Sequence, residues 1–194
     1  MRALMSGLGL GALIAGGLPA QELPTPAQQI ASAVLPLPEA FRDGATVLGY
    51  QTPGVLTALR KGTNGMICLA DNPAVAAFQV ACYHEEMEPF MARGRALRTE
   101  GIEGDQVDTV RFREVREGKL PVPSGPASLY SLTGPAGSWD PVTNEVTGAR
   151  PLYVVYIPNA TEESSGIPAK PAPGVPWLMF PGTPKAHIMF VPRM

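Results

Sequence analysis

Residues 66–83 read MICLADNPAVAAFQVACY. Met66 to Leu69 is a short apolar strand. Asp71-Asn72-Pro73 turns the chain, and Ala74 to Tyr83 reads as a second strand. Cys68 and Cys82, the only cysteines of the chain, then fall near the facing ends of neighbouring strands, where a disulfide can reach. Closing a loop of that size is worth roughly 3 kcal/mol in the chain-entropy view. Their spacing is not the CxxC of a redox or metal-binding pair.

The sheet can be extended outward from this unit. Upstream, Lys61-Gly62-Thr63-Asn64-Gly65 is a polar loop whose Asn64-Gly65 is a hairpin signal. It makes Val55 to Leu59 the strand before Met66 to Leu69. Ala45 to Tyr50 precedes the Pro53-Gly54 turn as a further strand. Before that, Thr25 can cap a helix with Pro26 at its first position. Ile30, Ala31, Val34 and Leu35 form its apolar face, and Pro36 and Pro38 end it.

Downstream, a helix fits from about Glu86 to Thr99, with Pro89 tolerated in its first turn and Gly101 as its stop. Phe90, Gly94 and Leu97 share one face. Asp105 to Glu117 has a capping residue at one end and Gly118 at the other, which predicts a helix, although the TVRFREV alternation also permits a strand. Ala127 to Leu132 and Pro151 to Ile157 read as strands. So do Val175 to Phe180 and Ala186 to Val191, which are apolar on both faces and place at least one strand inside the sheet. Thr133 to Gly148 and Asn159 to Pro173 are turn-rich and polar, hence surface loops. The fold expected is a single α+β domain: a mostly antiparallel sheet of five to seven short strands with two or three packed helices and one disulfide.

The 194-residue chain begins with Met1-Arg2, an apolar glycine-broken run from Ala3 to Leu18, and Leu18-Pro19-Ala20 before polar Gln21. This is the layout of a signal peptide over residues 1–20, leaving 21–194 as the mature domain, periplasmic or secreted. Removing Arg2 takes the formal net charge from −2 to −3. A mildly acidic domain without a basic stripe is a poor nucleic-acid binder. No second long apolar run predicts a membrane span in the mature chain. With 22 prolines, 21 glycines and 45% hydrophobic residues, the chain fits a loop-rich folded domain better than a disordered one.

Catalytic signatures are sparse. GxSxG, P-loop, helix-opening GxGxxG and HExxH motifs are all missing from the sequence. What stands out is the run from Cys82 to Arg98, CYHEEMEPFMARGRALR. His84, Glu85 and Glu88, together with His187 of the last strand, would make a usable set for a divalent transition metal, zinc or iron. Met87, Met91, Met179 and Met189 would suit the softer cuprous ion. The plainer alternative is a hydrogen-bonded core histidine, a solvated helix start and methionine packing. Arg93, Arg95 and Arg98 could cradle an anionic ligand, or pair with Glu100, Glu103 and the acids of the next helix. Asp71 is a candidate binding residue or general base, or simply a turn-former.

Three segments, RDGATV, LRKGTNGMICLADNP and GTPKAHIMF, resemble exported bacterial proteins of no known activity that carry a TNG…C…D hairpin and a C-terminal AHIMF-like strand. The resemblance implies no reaction. It directs attention to Cys68, Asp71, Cys82 and His187. Two functional readings follow. One is an exported binding module for a small ligand or another exported protein. The other is a small metal-dependent or acid–base enzyme using His84, Glu88 and His187, for which convergence of the two histidines is the requirement.

Overall fold

Thr25 and Gln28 close a reciprocal cap: Gln28 N–H donates to Thr25 Oγ1, and Thr25 N–H donates to Gln28 Oε1. With Pro26 in the first position, helix α1 (Pro26–Ala33) follows and buries Gln29, Ser32 and Ala33. The computed structural model describes residues 23–191, so the leader read in residues 1–20 lies outside the described residues. One eight-stranded sheet organises the described chain. Its strands are β1 (Thr46–Thr52), β2 (Val55–Arg60), β3 (Met66–Leu69), β4 (Phe78–His84), β5 (Ala127–Gly134), β6 (Arg150–Tyr156), β7 (Trp177–Met179) and β8 (His187–Phe190). They lie in the order β2-β1-β3-β4-β5-β6-β8-β7, and every neighbouring pair is antiparallel except β1 with β3.

That parallel pair corrects the expected hairpin at Asn64-Gly65. β2 and β3 are not neighbours, because β1 lies between them. The 61–65 connection instead crosses the entry to β1. Thr63 and Asn64 N–H donate to Gly44 O, and Gly62 N–H donates to Thr46 Oγ1. A Cβ on Gly62 would stand 2.3 Å from Gly44 O and from the Thr46 nitrogen, so only glycine permits this backbone approach. The turn residues specify a local reversal; they do not say which strand is met afterwards. A second difference concerns residues 74–77, which are turn rather than strand. Asn72 Oδ1 accepts from Ala74 N–H and Asp71 Oδ1 from Gln79 N–H, which holds the chain in a loop until Phe78.

The helices end where their glycines predict, while the expected cap Asp105 is itself the first residue of its helix, behind Gly104. A 3-10 turn at Glu85–Met87 leads into α3 (Glu88–Thr99), and α4 (Asp105–Arg116) follows. Gly101 and Gly118 stand just beyond the two helix ends with φ of +83° and +70°. Short helices α2 (Glu39–Arg42) and α5 (Glu162–Ser165) decorate the connections. On α3, Phe90, Gly94 and Leu97 are the buried face. They meet α4 through Arg111, whose guanidinium lies 3.9 Å from the Phe90 ring centre.

Both sheet faces are packed. On one, α1 and the turn after it lay Ala33, Val34 and Leu37 over Val47, Met66, Cys68 and Cys82. The 135–149 loop covers Phe78 and Val80 on the same side through Trp139 and Val146. On the other, Met87 and Met91 cover Tyr83, Val154 and Tyr156. Among the described residues no helix is long and apolar enough to cross a membrane.

Candidate functional site

Cys68 and Cys82 are directly opposite each other on β3 and β4 and are bonded through sulfur. Register carries their row across the sheet: Cys82 faces Tyr130, Tyr130 faces Tyr153, and Tyr153 faces Phe190. Cross-strand partners project to the same face, so a disulfide and three aromatic residues form one continuous ridge. α1 covers the disulfide end, and Tyr130 packs partly against that core. The Tyr130 and Tyr153 rings meet edge to face at 5.4 Å. At the other end Tyr153 and Phe190 remain 39% and 38% exposed. The Pro171–Pro176 segment lines the opposite side and encloses a cleft of about 880 Å³.

The candidate metal ligands do not assemble. His84 ends β4 opposite Met66, on the α1 face, and its Nδ1 accepts from Glu86 N–H. Glu85 lies beside it above Gly65. Glu88 is committed elsewhere, accepting from Tyr83 Oη and from Arg95 Nη2, both at 2.6 Å. His187 faces Tyr156 on β6, whose side chain belongs to the opposite core. β5 and β6 intervene between β4 and β8, so three strand spacings of about 4.8 Å separate the two histidines' strands by about 14 Å. No group of three or more His, Cys, Asp or Glu side chains among the described residues is disposed to hold a metal ion.

His187 is a packed residue with a defined tautomer. Its ring lies 4.8 Å from Tyr156 and 5.7 Å from Phe180. Nδ1 is 2.7 Å from the Lys185 carbonyl, which can only accept, so Nδ1 carries the hydrogen. Burial pushes the imidazole pKa below its ordinary value, and the nearby Lys185 ammonium adds to this against the carbonyl hydrogen bond.

The arginines divide. Arg93 is spent on Glu114 at 2.8 Å and Glu100 at 3.0 Å. Arg95 joins Glu88 and Tyr83, donating to the tyrosine oxygen at 2.8 Å. Arg98 makes only a bond from Nη1 to the Gly94 carbonyl among the described residues. Asp71 lines a separate cavity of about 690 Å³ beside Thr25, Gln29, Ser32 and Trp139. Burial raises its carboxyl pKa despite backbone donors from Gln79 and Asn72.

Several residues of interest carry no sequence signal. Arg111, Lys185 and Tyr156 gather beside Arg95 and Arg98 on the α3 face. Tyr130, Tyr153 and Phe190 read only as ordinary strand residues. Compared with known proteins, the chain matches no family model, no curated protein and no solved structure.

Proposed function

We propose that the protein is an exported binding module, and that its ligand site is the cleft between the Tyr130–Tyr153–Phe190 row and the Pro171–Pro176 segment. The single observation that carries this reading is that ridge of cross-strand aromatic residues, packed at the disulfide end and open at the other. A volume of about 880 Å³ suits a small molecule, since ligand pockets run from about 300 to 1,000 Å³ and are mostly apolar with few polar groups. Ser128, Tyr130 and Tyr153 bring the side-chain hydroxyls of the lining, and none of the lining residues carries a charged side chain. The ligand class is therefore a neutral, largely apolar molecule with a ring to stack on tyrosine or phenylalanine. Export is supported by the leader-like residues 1–20 and by the disulfide, a bond that persists in oxidising compartments.

The test uses N-phenyl-1-naphthylamine, a neutral fluorophore that brightens in apolar sites. The oxidised protein should give a saturable signal, and Phe190→Asp should weaken binding by about tenfold or more, since it places an uncompensated charge on the apolar wall. Phe41→Asp, at an exposed residue on α2 outside the cleft lining, serves as the control. Equal binding by the parent protein and Phe190→Asp sinks the assignment.

A further inference from the structure

On the sheet face opposite the aromatic cleft, a cavity of about 260 Å³ is lined by Arg95, Arg98, Arg111, Lys185, Tyr83 and Tyr156 among others. Its cations come from three parts of the chain: α3, α4 and the turn before β8. Among the described residues two carboxylates pair with them. Glu88 takes Arg95, and Asp108 is shared by Arg111 and Lys185, the latter at 2.8 Å. Four cations against two carboxylates leave a surplus of two positive charges in one small concavity.

Three further observations show that the surplus is not neutralised within the described chain. Arg111 is 5% exposed, and its Nε is buried without a hydrogen-bond partner. Arg98 has no carboxylate within ion-pair distance among the described residues, although it lines the cavity. Tyr156 is buried and its hydroxyl makes no hydrogen bond among the described residues. Concentrating like charge against apolar walls is costly, and the field inside such a cleft is focused rather than screened. Phe90, Met91 and Leu69 supply those walls. Guanidinium forks and phenolic hydroxyls are the donors that suit tetrahedral oxyanions.

We infer that this cavity is an anion site, and that its ligand is a small dianion, inorganic phosphate or the phosphate group of a compact monoester. The charge surplus matches a dianion, and the volume leaves room for little more than the phosphate and a short substituent. Arg98 and the Tyr156 hydroxyl bind the oxygens directly. Arg111 and Lys185, fixed by Asp108, supply the field. The site is independent of the aromatic cleft.

The experiment is thermal unfolding of the oxidised protein at constant ionic strength, with sodium phosphate replacing sodium chloride and sodium acetate as a third arm. Phosphate should raise the midpoint saturably and acetate should not. Arg98→Gln and Tyr156→Phe should each weaken the phosphate response about tenfold, the scale of a lost hydrogen bond to a charged group. Arg113→Gln, on an exposed arginine of α4 outside the cavity, should leave it unchanged. Arg98 is exposed, so its replacement tests the site without threatening the fold. A phosphate response equal to chloride overturns the proposal, as does one equally strong in Arg98→Gln. Acetate binding as tightly as phosphate overturns the dianion assignment.

Discussion

Gln29 of α1 satisfies both backbone polar groups of Tyr50 on β1. Its Oε1 accepts from Tyr50 N–H at 2.8 Å, and its Nε2 donates to Tyr50 O at 2.8 Å. The second amide hydrogen reaches Pro24 O at 2.7 Å. β3 pairs with β1 only from Thr46 to Leu48, so the side chain stands where a strand is missing. Gln29→Ala strands both Tyr50 groups beneath a side chain that is itself buried, and also removes the donor to Pro24 O. At about 1–3 kcal/mol for each orphaned group, a loss of about 2–6 kcal/mol is expected in urea or guanidinium unfolding. A loss under about 0.5 kcal/mol, the size of an ordinary surface substitution, rules this account out.

The disulfide should matter both for equilibrium stability and for access. It closes a sequence separation of 14 residues between strands that are already paired. The Cys68→Ala/Cys82→Ala protein should be about 3 kcal/mol less stable than the oxidised one, most of it through the unfolded chain. Both residues have no exposed surface. Thiol titration in dithiothreitol should therefore report free sulfhydryls only as the protein opens. Rapid reduction of the native state would show that the α1 cover is not closed.

His187 should make the fold sensitive to mild acid. Unfolded imidazole takes up its proton near 6.5, and the buried ring does so only at lower pH. Between the two values the unfolded state binds more protons, so stability falls as pH drops through that window and is fully present above it. Unfolding midpoints measured in steps from neutral pH downward should decline in the parent protein. His187→Gln should flatten the part of that slope that begins near pH 6.5. An unchanged slope in the variant would assign the acid sensitivity elsewhere.

Much of the fold was legible because its signals are local. Thr25 and Pro26 open α1, and Gly101 and Gly118 close α3 and α4, through chemistry confined to a few residues. Cys68 and Cys82 pair across strands whose β-character was plain. The insertion of β1 between β2 and β3 was not legible, because Asn64-Gly65 encodes a reversal and nothing about its destination. The site suffered from the same limit. Spacing placed Arg95 and Arg98 near each other, but Lys185 meets Asp108 across 77 residues, a contact that only the folded sheet creates. The two histidines looked like partners because a linear pattern does not reveal that β5 and β6 stand between their strands.

The order of the strands leaves the sheet with two unlike borders. β7 has three residues, with Pro176 before it and Pro181 two positions after it, so it offers a newcomer little free backbone. β2 has six residues, contains no proline, and exposes Val55 at 52%. Its defence is the register shifts against β1, since the Arg60 guanidinium is turned onto the Ala45 and Arg42 carbonyls. Self-association of the folded chain by strand addition would therefore start at β2. A lysine at Thr57 would be the economical guard against aggregation during concentration or storage.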